Sequence, residues 1–197
     1  MLPPTPPPLP PRRASQRTEN VKLVSSPSSN FVDVHEHVVV NKALNSNTLA
    51  LERAEKIARP FHPCYMFFYG SLMDSEVIQA ILGLSEIPTT SPAVLSGFKI
   101  KMWGIYPALV PGTNRSDQVS RRVWKVSNED HFDLLAAYET VAYTWVECEA
   151  RLDDGAVLKD CRTFCWTGIP DSNELEDGAF DLERYQKFFK SSVVRRK

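Results

Sequence analysis

One short segment constrains the fold of this chain more than any other: an apolar run that stops abruptly at Gly70-Ser71. Residues 65–68 have the length and the apolar, aromatic composition of a buried β-strand. A helical pattern begins near Asp74, so the strand passes almost directly into a helix. Such a turn is often only a connection, but its unpaired backbone N–H groups also suit it to bind a carboxylate or a developing oxyanion.

Composition divides the chain near residue 60. Eight of the fifteen prolines lie within residues 1–27, and serine-rich sequence follows to residue 29. Residues 1–30 are therefore predicted to form a disordered Pro/Ser-rich tail with local polyproline II character. Residues 31–60 are predicted to be a partly ordered N-terminal extension, and residues 61–193 a single domain. The tail is suited to an SH3- or WW-type partner, or is simply solvated with no dedicated partner.

Bulk properties favour a soluble protein and exclude several classes of partner. The 197 residues are 43% hydrophobic and 24% charged, which is typical of one globular domain. A formal net charge of −1 argues against nucleic acid as the main partner. No apolar run approaches the roughly 20 residues that span a bilayer, and the proline-rich N-terminus does not resemble a signal peptide. The expectation is a cytoplasmic protein with no membrane partner.

The cysteines and histidines do not predict a metal site. Four cysteines are present, of which Cys161 and Cys165 share one face of a predicted strand but lie too far apart for a local disulfide. Buried, reduced thiols are the expected state. His35 and His37 share a face of an extended segment, but no third ligand accompanies them.

Hydrophobic periodicity predicts an α+β fold. The predicted strands are 65–68, 93–103, 106–110, 119–126, 144–152 and 156–166, and the predicted helices are 74–82, 128–138 and 182–193. Strands with so few intervening helices favour a small mixed β-barrel-like sheet with flanking helices over a doubly wound fold.

Glu139 is the strongest candidate for chemistry. It lies where the predicted helix 128–138 meets the next strand, and its neighbours are mostly apolar or aromatic. Such surroundings disfavour the ionised carboxylate and raise its pKa toward neutrality, which suits a general acid or base. The alternative is that Glu139 caps a helix end or pairs with a surface arginine.

Other common chemistries lack their sequence signatures. There is no phosphate-binding Gly-rich loop of the Walker type and no Gly-x-Gly-x-x-Gly. Ser71 lies in a sharp turn, and His62 and His131 are available, but the Gly-x-Ser-x-Gly elbow of many serine hydrolases is missing.

Several motifs in order resemble one known family. They are Phe68-Tyr69-Gly70-Ser71-Leu72-Met73, Gly97-Phe98-Lys99, Gly104-Ile105-Tyr106-Pro107-Ala108-Leu109-Val110, Val123-Trp124-Lys125-Val126, Leu135-Ala136-Ala137-Tyr138-Glu139-Thr140 with Tyr143, and Phe164-Cys165-Trp166. Together they resemble the gamma-glutamylcyclotransferase-like superfamily, and within it the avirulence-induced-gene (AIG2-like) type in a form common among fungal proteins. The resemblance covers about residues 64–190.

The resemblance implies both a fold and a reaction. The fold is the small barrel-like α+β domain with a pocket, and the reaction releases 5-oxoproline and a free amine or amino acid from a small gamma-glutamyl compound. It further implies that Glu139 is the catalytic acid and base and that no metal or organic cofactor takes part. The substrate-binding residues that it implies are Tyr69, Gly70, Ser71, Leu72 and Tyr143.

Two departures from the family pattern leave the substrate open. Arg121 stands where a small residue, commonly glycine, is usual, and Thr140 stands where a glycine often follows the acidic residue. A non-catalytic ligand-binding or interaction module on the same barrel remains the alternative function. Another reaction in the same pocket, such as amide hydrolysis or isomerisation, is the third.

Overall fold

The structure is a computed structural model that describes residues 61–114 and 116–194 of the chain. The predictions for the tail at 1–30, for the extension at 31–60 and for His35 and His37 lie outside the described residues. The predicted domain at 61–193 lies almost wholly inside them.

Most of the strands form a closed barrel. The strands of the described residues are β1 (Cys64–Phe68), β2 (Ser91–Ser96), β3 (Phe98–Trp103), β4 (Tyr106–Pro111), β5 (Gln118–Val126), β6 (Tyr143–Leu152), β7 (Val157–Trp166) and β8 (Glu176–Asp177). Five of them form the barrel in the order β1-β5-β2-β6-β7, while β4, β3 and β8 form a separate three-stranded sheet. Parallel pairing of β1 with β7 closes the barrel, and the other strand pairs are antiparallel. The predicted α+β class with a barrel-like sheet is confirmed.

The helices begin at residues that can cap them. They are a 3₁₀ turn (Ser71–Met73), α1 (Ser75–Leu82), α2 (Glu129–Glu139), α3 (Leu182–Phe188) and α4 (Lys190–Val194). The side chains of Asp74, Asn128 and Asp181 accept hydrogen bonds from backbone N–H groups in the first turns of α1, α2 and α3. Gly83 ends α1 in the left-handed conformation that favours glycine.

The barrel interior fixes the position of the strand that leads to the turn. Alternating residues of the strands point inward and form one apolar cluster, which includes Phe67, Leu95, Leu109, Val119, Val123, Ala150 and Cys161. Because β1 is paired with β5 on one side and β7 on the other, its end at Phe68 is held on both edges. The turn that follows therefore starts from a rigid position.

The prediction of one strand over residues 93–103 is wrong. Gly97 interrupts it with a φ of 80°, so β2 stays in the barrel and β3 joins the smaller sheet. The Gly97 N–H donates to the Asp117 carbonyl, and the Gly97 carbonyl accepts from Gly112 N–H, both at 2.8 Å. The alternation shifts by one position at the glycine, since Ala93 and Leu95 of β2 and Phe98 and Ile100 of β3 pack against the same apolar cluster. A bulge within a single strand gives the same shift, so periodicity alone does not reveal the change of sheet.

The prediction of one helix over residues 182–193 is also wrong. Phe189 leaves the helical conformation, with a φ of −121°, and separates α3 from α4. The ring of Phe189 stacks on the buried Tyr185, while Phe188 faces solvent. Beyond the break, Lys190 lies 2.8 Å from an Asp74 carboxylate oxygen and 2.7 Å from a Glu76 oxygen.

All four cysteines are free thiols, as predicted; Cys148 is half-buried, and Cys64, Cys161 and Cys165 are buried. Across residues 61–114 and 116–194, no group of three or more His, Cys, Asp and Glu side chains is placed to hold a metal ion. No helix in this described part of the chain combines the length and the apolar character needed to cross a membrane.

Candidate active site

A small pocket lies where β1 ends and the 3₁₀ turn begins. Its volume is about 60 Å³, enough for about four water molecules. Aromatic side chains make up most of its wall. The lining residues are Phe67, Phe68, Tyr69, Gly70, Ser71, Leu72, Trp103, Tyr106, Pro107, Tyr138, Glu139, Thr140, Tyr143, Phe164, Phe180 and Tyr185.

The fold brings all six predicted site residues to this one pocket. Tyr69, Gly70, Ser71 and Leu72 arrive from the end of β1, and Glu139 and Tyr143 from the connection between α2 and β6. The two groups are far apart in sequence, and the barrel is what brings them together.

Glu139 is a carboxylate without a compensating charge. It is the last residue of α2, is half-buried, and is the only carboxylate among the described residues that line the pocket. Burial raises its pKa from the ordinary 4.5 to about 7. No described lysine, arginine or histidine forms an ion pair with it. Near neutral pH this carboxylate is present in both protonation states.

Thr140, directly after Glu139, has an unusual backbone conformation. Its φ of 67° makes it the only non-glycine residue with a positive φ in the described part of the chain, and its ψ is −177°. This region is almost confined to glycine, and a branched residue there stores about 1–3 kcal/mol of strain. The Thr140 hydroxyl accepts from Ala142 N–H at 3.3 Å, which helps to hold the sharp exit from α2.

The 3₁₀ turn offers backbone donors to the pocket. Its first hydrogen bond runs from Met73 N–H to the Gly70 carbonyl at 3.0 Å, so Ser71 and Leu72 N–H precede it and have no acceptor within the turn. A Cβ on Gly70 would come within 3.0 Å of the Pro107 side chain. Glycine therefore lets the turn approach the start of β4 closely. The Leu72 side chain is buried in the core and anchors the turn.

A chain of hydroxyl groups runs along one side of the pocket. Ser71 Oγ lies 3.1 Å from Tyr138 Oη, which lies 3.4 Å from Tyr185 Oη. Burial raises the pKa of both tyrosines, so their hydroxyls stay protonated near neutral pH. The turn, α2 and α3 are thus joined by hydrogen bonds at the pocket wall.

Two further tyrosine hydroxyls differ in their hydrogen bonding. Tyr143 Oη donates to the Pro107 carbonyl at 3.1 Å. Tyr69 Oη is buried and approaches the Leu109 backbone without reaching hydrogen-bond geometry, so it has no partner among the described residues. Burial, and next the charge of Glu139, raise the pKa of both tyrosines. Both therefore remain protonated, and the Tyr69 hydroxyl is free to donate to a ligand.

Asp74 ties the C-terminal helices to the pocket turn. Its carboxylate caps α1 through Glu76 N–H at 2.9 Å and accepts from Gln186 Nε2 at 2.7 Å. Lys190 Nζ lies 2.8 Å from the same carboxylate. These contacts fix α3 and α4 behind the turn, and with them the position of Tyr185.

Arg121, one of the two departures from the family pattern, does not line this pocket. It borders a separate groove with Lys99 and Asp117, and its guanidinium donates to the Ser120 carbonyl at 2.8 Å. The arginine therefore does not narrow the pocket that contains Glu139.

Ten of the sixteen pocket residues were not among the six predicted site residues, and four of the ten bear on the chemistry or the shape of the pocket. Tyr138 and Tyr185 belong to the hydroxyl chain, and Trp103 and Tyr106 line the pocket from the β3–β4 hairpin. Tyr138 carries a local signal, because it adjoins the candidate carboxylate. Trp103 and Tyr106 lie on either side of Gly104. The motif that carries the family resemblance begins at Gly104, so it includes Tyr106 but not Trp103. Tyr185 has no signal beyond helical periodicity, since its place depends on how α3 packs.

The fold and site define a class first: a small α+β barrel protein with a partly buried carboxylate in an aromatic pocket. A sequence model of the family described as gamma-glutamyl cyclotransferase, AIG2-like, matches residues 66–186. This match covers more than half of the chain, and the chain belongs to that family.

Several solved structures are similar to this chain at low sequence identity. The solution structure of an Arabidopsis thaliana protein is similar with a TM-score of 0.51 and 23% identity, over 70% of this chain and 81% of that one. A second Arabidopsis thaliana solution structure has a TM-score of 0.48 and 23% identity, and the match covers 70% of this chain and 89% of that one. The crystal structure of a mouse AIG2-like protein has a TM-score of 0.46 and 15% identity, and the match covers 61% of this chain and 90% of that one. No curated protein sequence matches this chain significantly.

Proposed function

We propose that this chain is a gamma-glutamyl cyclotransferase and that residues 61–193 are its catalytic domain. It would release 5-oxoproline and a free amine from a small gamma-glutamyl compound, with Glu139 as general acid and base. One observation carries the proposal: an unpaired carboxylate with a pKa of about 7 shares an aromatic pocket with the turn at Gly70–Leu72. A carboxylate with this pKa can both accept and donate a proton near neutral pH.

The proposed reaction moves protons through Glu139. The ionised carboxylate takes a proton from the substrate α-ammonium, and the free amine then attacks the γ-carbonyl carbon to close a five-membered ring. The amide C–N bond breaks as Glu139 delivers its proton to the departing nitrogen. The ring nitrogen gives up its second proton, which the released amine takes up, so the products are the lactam 5-oxoproline, with its α-carboxylate, and an ammonium ion. No oxidation state changes, so the chemistry needs no redox cofactor.

The rest of the pocket would bind and fold the substrate. Nucleophile and carbonyl belong to one molecule, so holding the glutamyl chain bent back supplies much of the rate enhancement. The N–H groups of Ser71 and Leu72, together with the unpartnered Tyr69 hydroxyl, are the donors available to the α-carboxylate or the developing oxyanion. A bound substrate would displace water from the aromatic lining of the pocket, which would strengthen these contacts. Tyr143, held by Pro107, would shape the wall beside Glu139.

The test is release of 5-oxoproline, measured by mass spectrometry. The full chain would be incubated with gamma-glutamyl amines, gamma-glutamyl amino acids and glutathione. Wild type should release 5-oxoproline, and Glu139→Gln should reduce the rate by about 10²–10⁴-fold, as expected for loss of a general acid and base. Glu149→Gln is the matched control, because Glu149 is an exposed carboxylate on β6; it should retain wild-type activity.

Three other outcomes would overturn the proposal. Free glutamate in place of 5-oxoproline would mean that water, not the substrate amine, attacks the carbonyl. Binding of a gamma-glutamyl compound with no turnover in the folded wild type would indicate the non-catalytic ligand-binding module. Equal activity in wild type and Glu139→Gln would remove Glu139 from the mechanism.

A further inference from the structure

Three half-exposed aromatic side chains form a distinct part of the pocket wall. Trp103 and Tyr106 come from the β3–β4 hairpin and Phe180 from the segment before α3; we refer to these three as the aromatic wall. The Trp103 ring packs on Trp166 with centroids 4.8 Å apart and lies 6.5 Å from the Tyr106 ring. Rings that are supported from behind and partly open in front present firm apolar surface to a ligand.

The charge of the pocket restricts what can lie against this wall. Among the described lining residues, Glu139 is the only charged side chain, and none is lysine, arginine or histidine. A carboxylate on the leaving amine would enter an apolar space with no cation to pair with and with Glu139 nearby. Both the lost hydration and the like charge oppose its binding. The backbone donors of the turn are already assigned to the glutamyl part of the substrate.

Building on the proposed cyclotransferase reaction, we propose that the released amine carries an apolar, aromatic substituent and no carboxylate. The substrate class is then a gamma-glutamyl arylalkylamine, whose ring contacts Trp103, Tyr106 and Phe180. Bond making and breaking are those of the proposed reaction: the lactam C–N bond forms, the amide C–N bond breaks, and the arylalkylamine leaves with the proton.

A cationic amine is the competing occupant. A neighbouring cavity of about 260 Å³ shares Tyr106, Phe180 and Tyr185 with the pocket, and its charged lining residues are Glu176, Asp177, Asp181 and Arg184. All four charged side chains are exposed, so water and salt screen the attraction of the carboxylates for a cation and that of Arg184 for a carboxylate. The apolar faces of the aromatic wall are closer to the reacting centre, because they line the pocket that contains Glu139.

The experiment compares three substrates that differ by one group. They are gamma-glutamyl-phenethylamine, gamma-glutamyl-phenylalanine, which adds a carboxylate to the same amine, and gamma-glutamyl-cadaverine, which replaces the ring with a cationic chain. The kcat/KM for 5-oxoproline release should be at least about tenfold higher for the phenethylamine compound than for either of the others. Equal or higher kcat/KM for either charged compound would overturn the proposed class.

A variant pair tests the part played by the aromatic wall. In Trp103→Leu, the ratio of kcat/KM for gamma-glutamyl-phenethylamine over gamma-glutamyl-methylamine should fall by about tenfold. This ratio does not depend on the fraction of protein that is folded, so a loss of stability cannot imitate the result. Trp124→Leu is the control, since Trp124 lies on β5 outside the pocket lining; its ratio should match wild type. An unchanged ratio in Trp103→Leu would overturn the assignment.

A binding measurement separates this inference from the proposed reaction. If no compound yields 5-oxoproline, the reaction is wrong, and calorimetric titration of the same three compounds into Glu139→Gln decides the ligand class. Tighter binding of gamma-glutamyl-phenethylamine than of both charged compounds would support an aromatic ligand. If gamma-glutamyl-phenethylamine binds no more tightly than either charged compound, the inferred ligand class is wrong, whether or not the proposed reaction is correct.

Discussion

Asp74 and Glu139 are two carboxylates withdrawn from water, and the structure treats them in opposite ways. The Asp74 side chain is only 4% exposed. Burial opposes its ionisation, but hydrogen bonds from Lys190 and Gln186 outweigh burial and lower its pKa. Glu139 has burial without such partners, and its pKa rises to about 7.

The contrast shows how one small domain separates stability from reactivity. Asp74 immediately follows the 3₁₀ turn, and its satisfied charge holds two helices in place. Glu139 faces the same turn across the pocket, and its unsatisfied charge leaves it ready to exchange a proton. A fully paired carboxylate stabilises the fold but is a poor base, whereas an unpaired one is reactive and destabilising.

Removing the Asp74 carboxylate is the strongest test of this contrast. Asp74→Ala should lower the free energy of unfolding by about 2–4 kcal/mol, because it deletes a helix cap and leaves Lys190 with fewer partners. Urea unfolding at pH 7 measures the change. The lowered pKa means that this contribution is present above the unfolded pKa and is lost as the pH falls through the folded value.

The matched control for that substitution is Asp133→Ala, which removes an exposed aspartate from α2. Its free energy of unfolding should stay within about 0.5 kcal/mol of wild type. Similar losses from the two variants would mean that the Asp74 contacts contribute nothing specific.

Glu139→Gln should change the free energy of unfolding in the opposite direction, by raising it near pH 8. The pKa of Glu139 is higher in the folded state than its ordinary 4.5, so wild type loses stability as the pH rises from about 4.5 to about 7 and stays at the lower level above. The glutamine removes this loss, and the variant should be more stable than wild type at pH 8 by roughly 1–3 kcal/mol. The gain should shrink toward pH 5.

Urea unfolding at several pH values measures that crossover, with Glu149→Gln as the exposed counterpart. A destabilised Glu139→Gln at pH 8 would show that the carboxylate is satisfied in the folded protein and would remove the contrast with Asp74.

Thr140→Gly should have a smaller effect on stability, and it tests whether the backbone after Glu139 is strained. Glycine adopts the backbone conformation of residue 140 without strain, and the relief is partly offset by the greater freedom of glycine in the unfolded chain. The expected result is a gain of about 1 kcal/mol, seen as a higher Tm in thermal unfolding. Thr140→Ala keeps the strain and should give no gain. Equal Tm values for these two variants would mean that the connection after Glu139 holds no strain.

Local patterns predicted the parts of the fold that depend on neighbours in sequence. The break at Gly70-Ser71, the helix after Asp74 and the two strands predicted at 144–152 and 156–166 all follow from turn residues and hydrophobic period. Glu139 was found because an isolated carboxylate in an apolar stretch is visible without a structure. The gathering of the six predicted residues in one pocket depends on the barrel, which the family resemblance supplied.

Features that depend on tertiary packing could not be predicted from local sequence patterns. The alternation shifts by one position at Gly97, as it would at a bulge within one strand, so only the hydrogen bonds reveal the change of sheet. Tyr185 joins the pocket because Asp74 binds Gln186 and Lys190, a contact between segments 112 residues apart in the case of Gln186. The positive φ of Thr140 had only one sequence clue, the glycine usual at that position in the family.

Pairing of the first strand with the last strand of the barrel sets the order of events during translation. The Thr163 hydroxyl donates to the Phe67 carbonyl, a contact between residues 96 positions apart. The ribosome releases β1 early, yet this apolar strand waits for β7 before it is enclosed, and such non-local pairing is slow. Tyr185 emerges after β7, so a nascent chain can complete its pocket only once α3 has been synthesised.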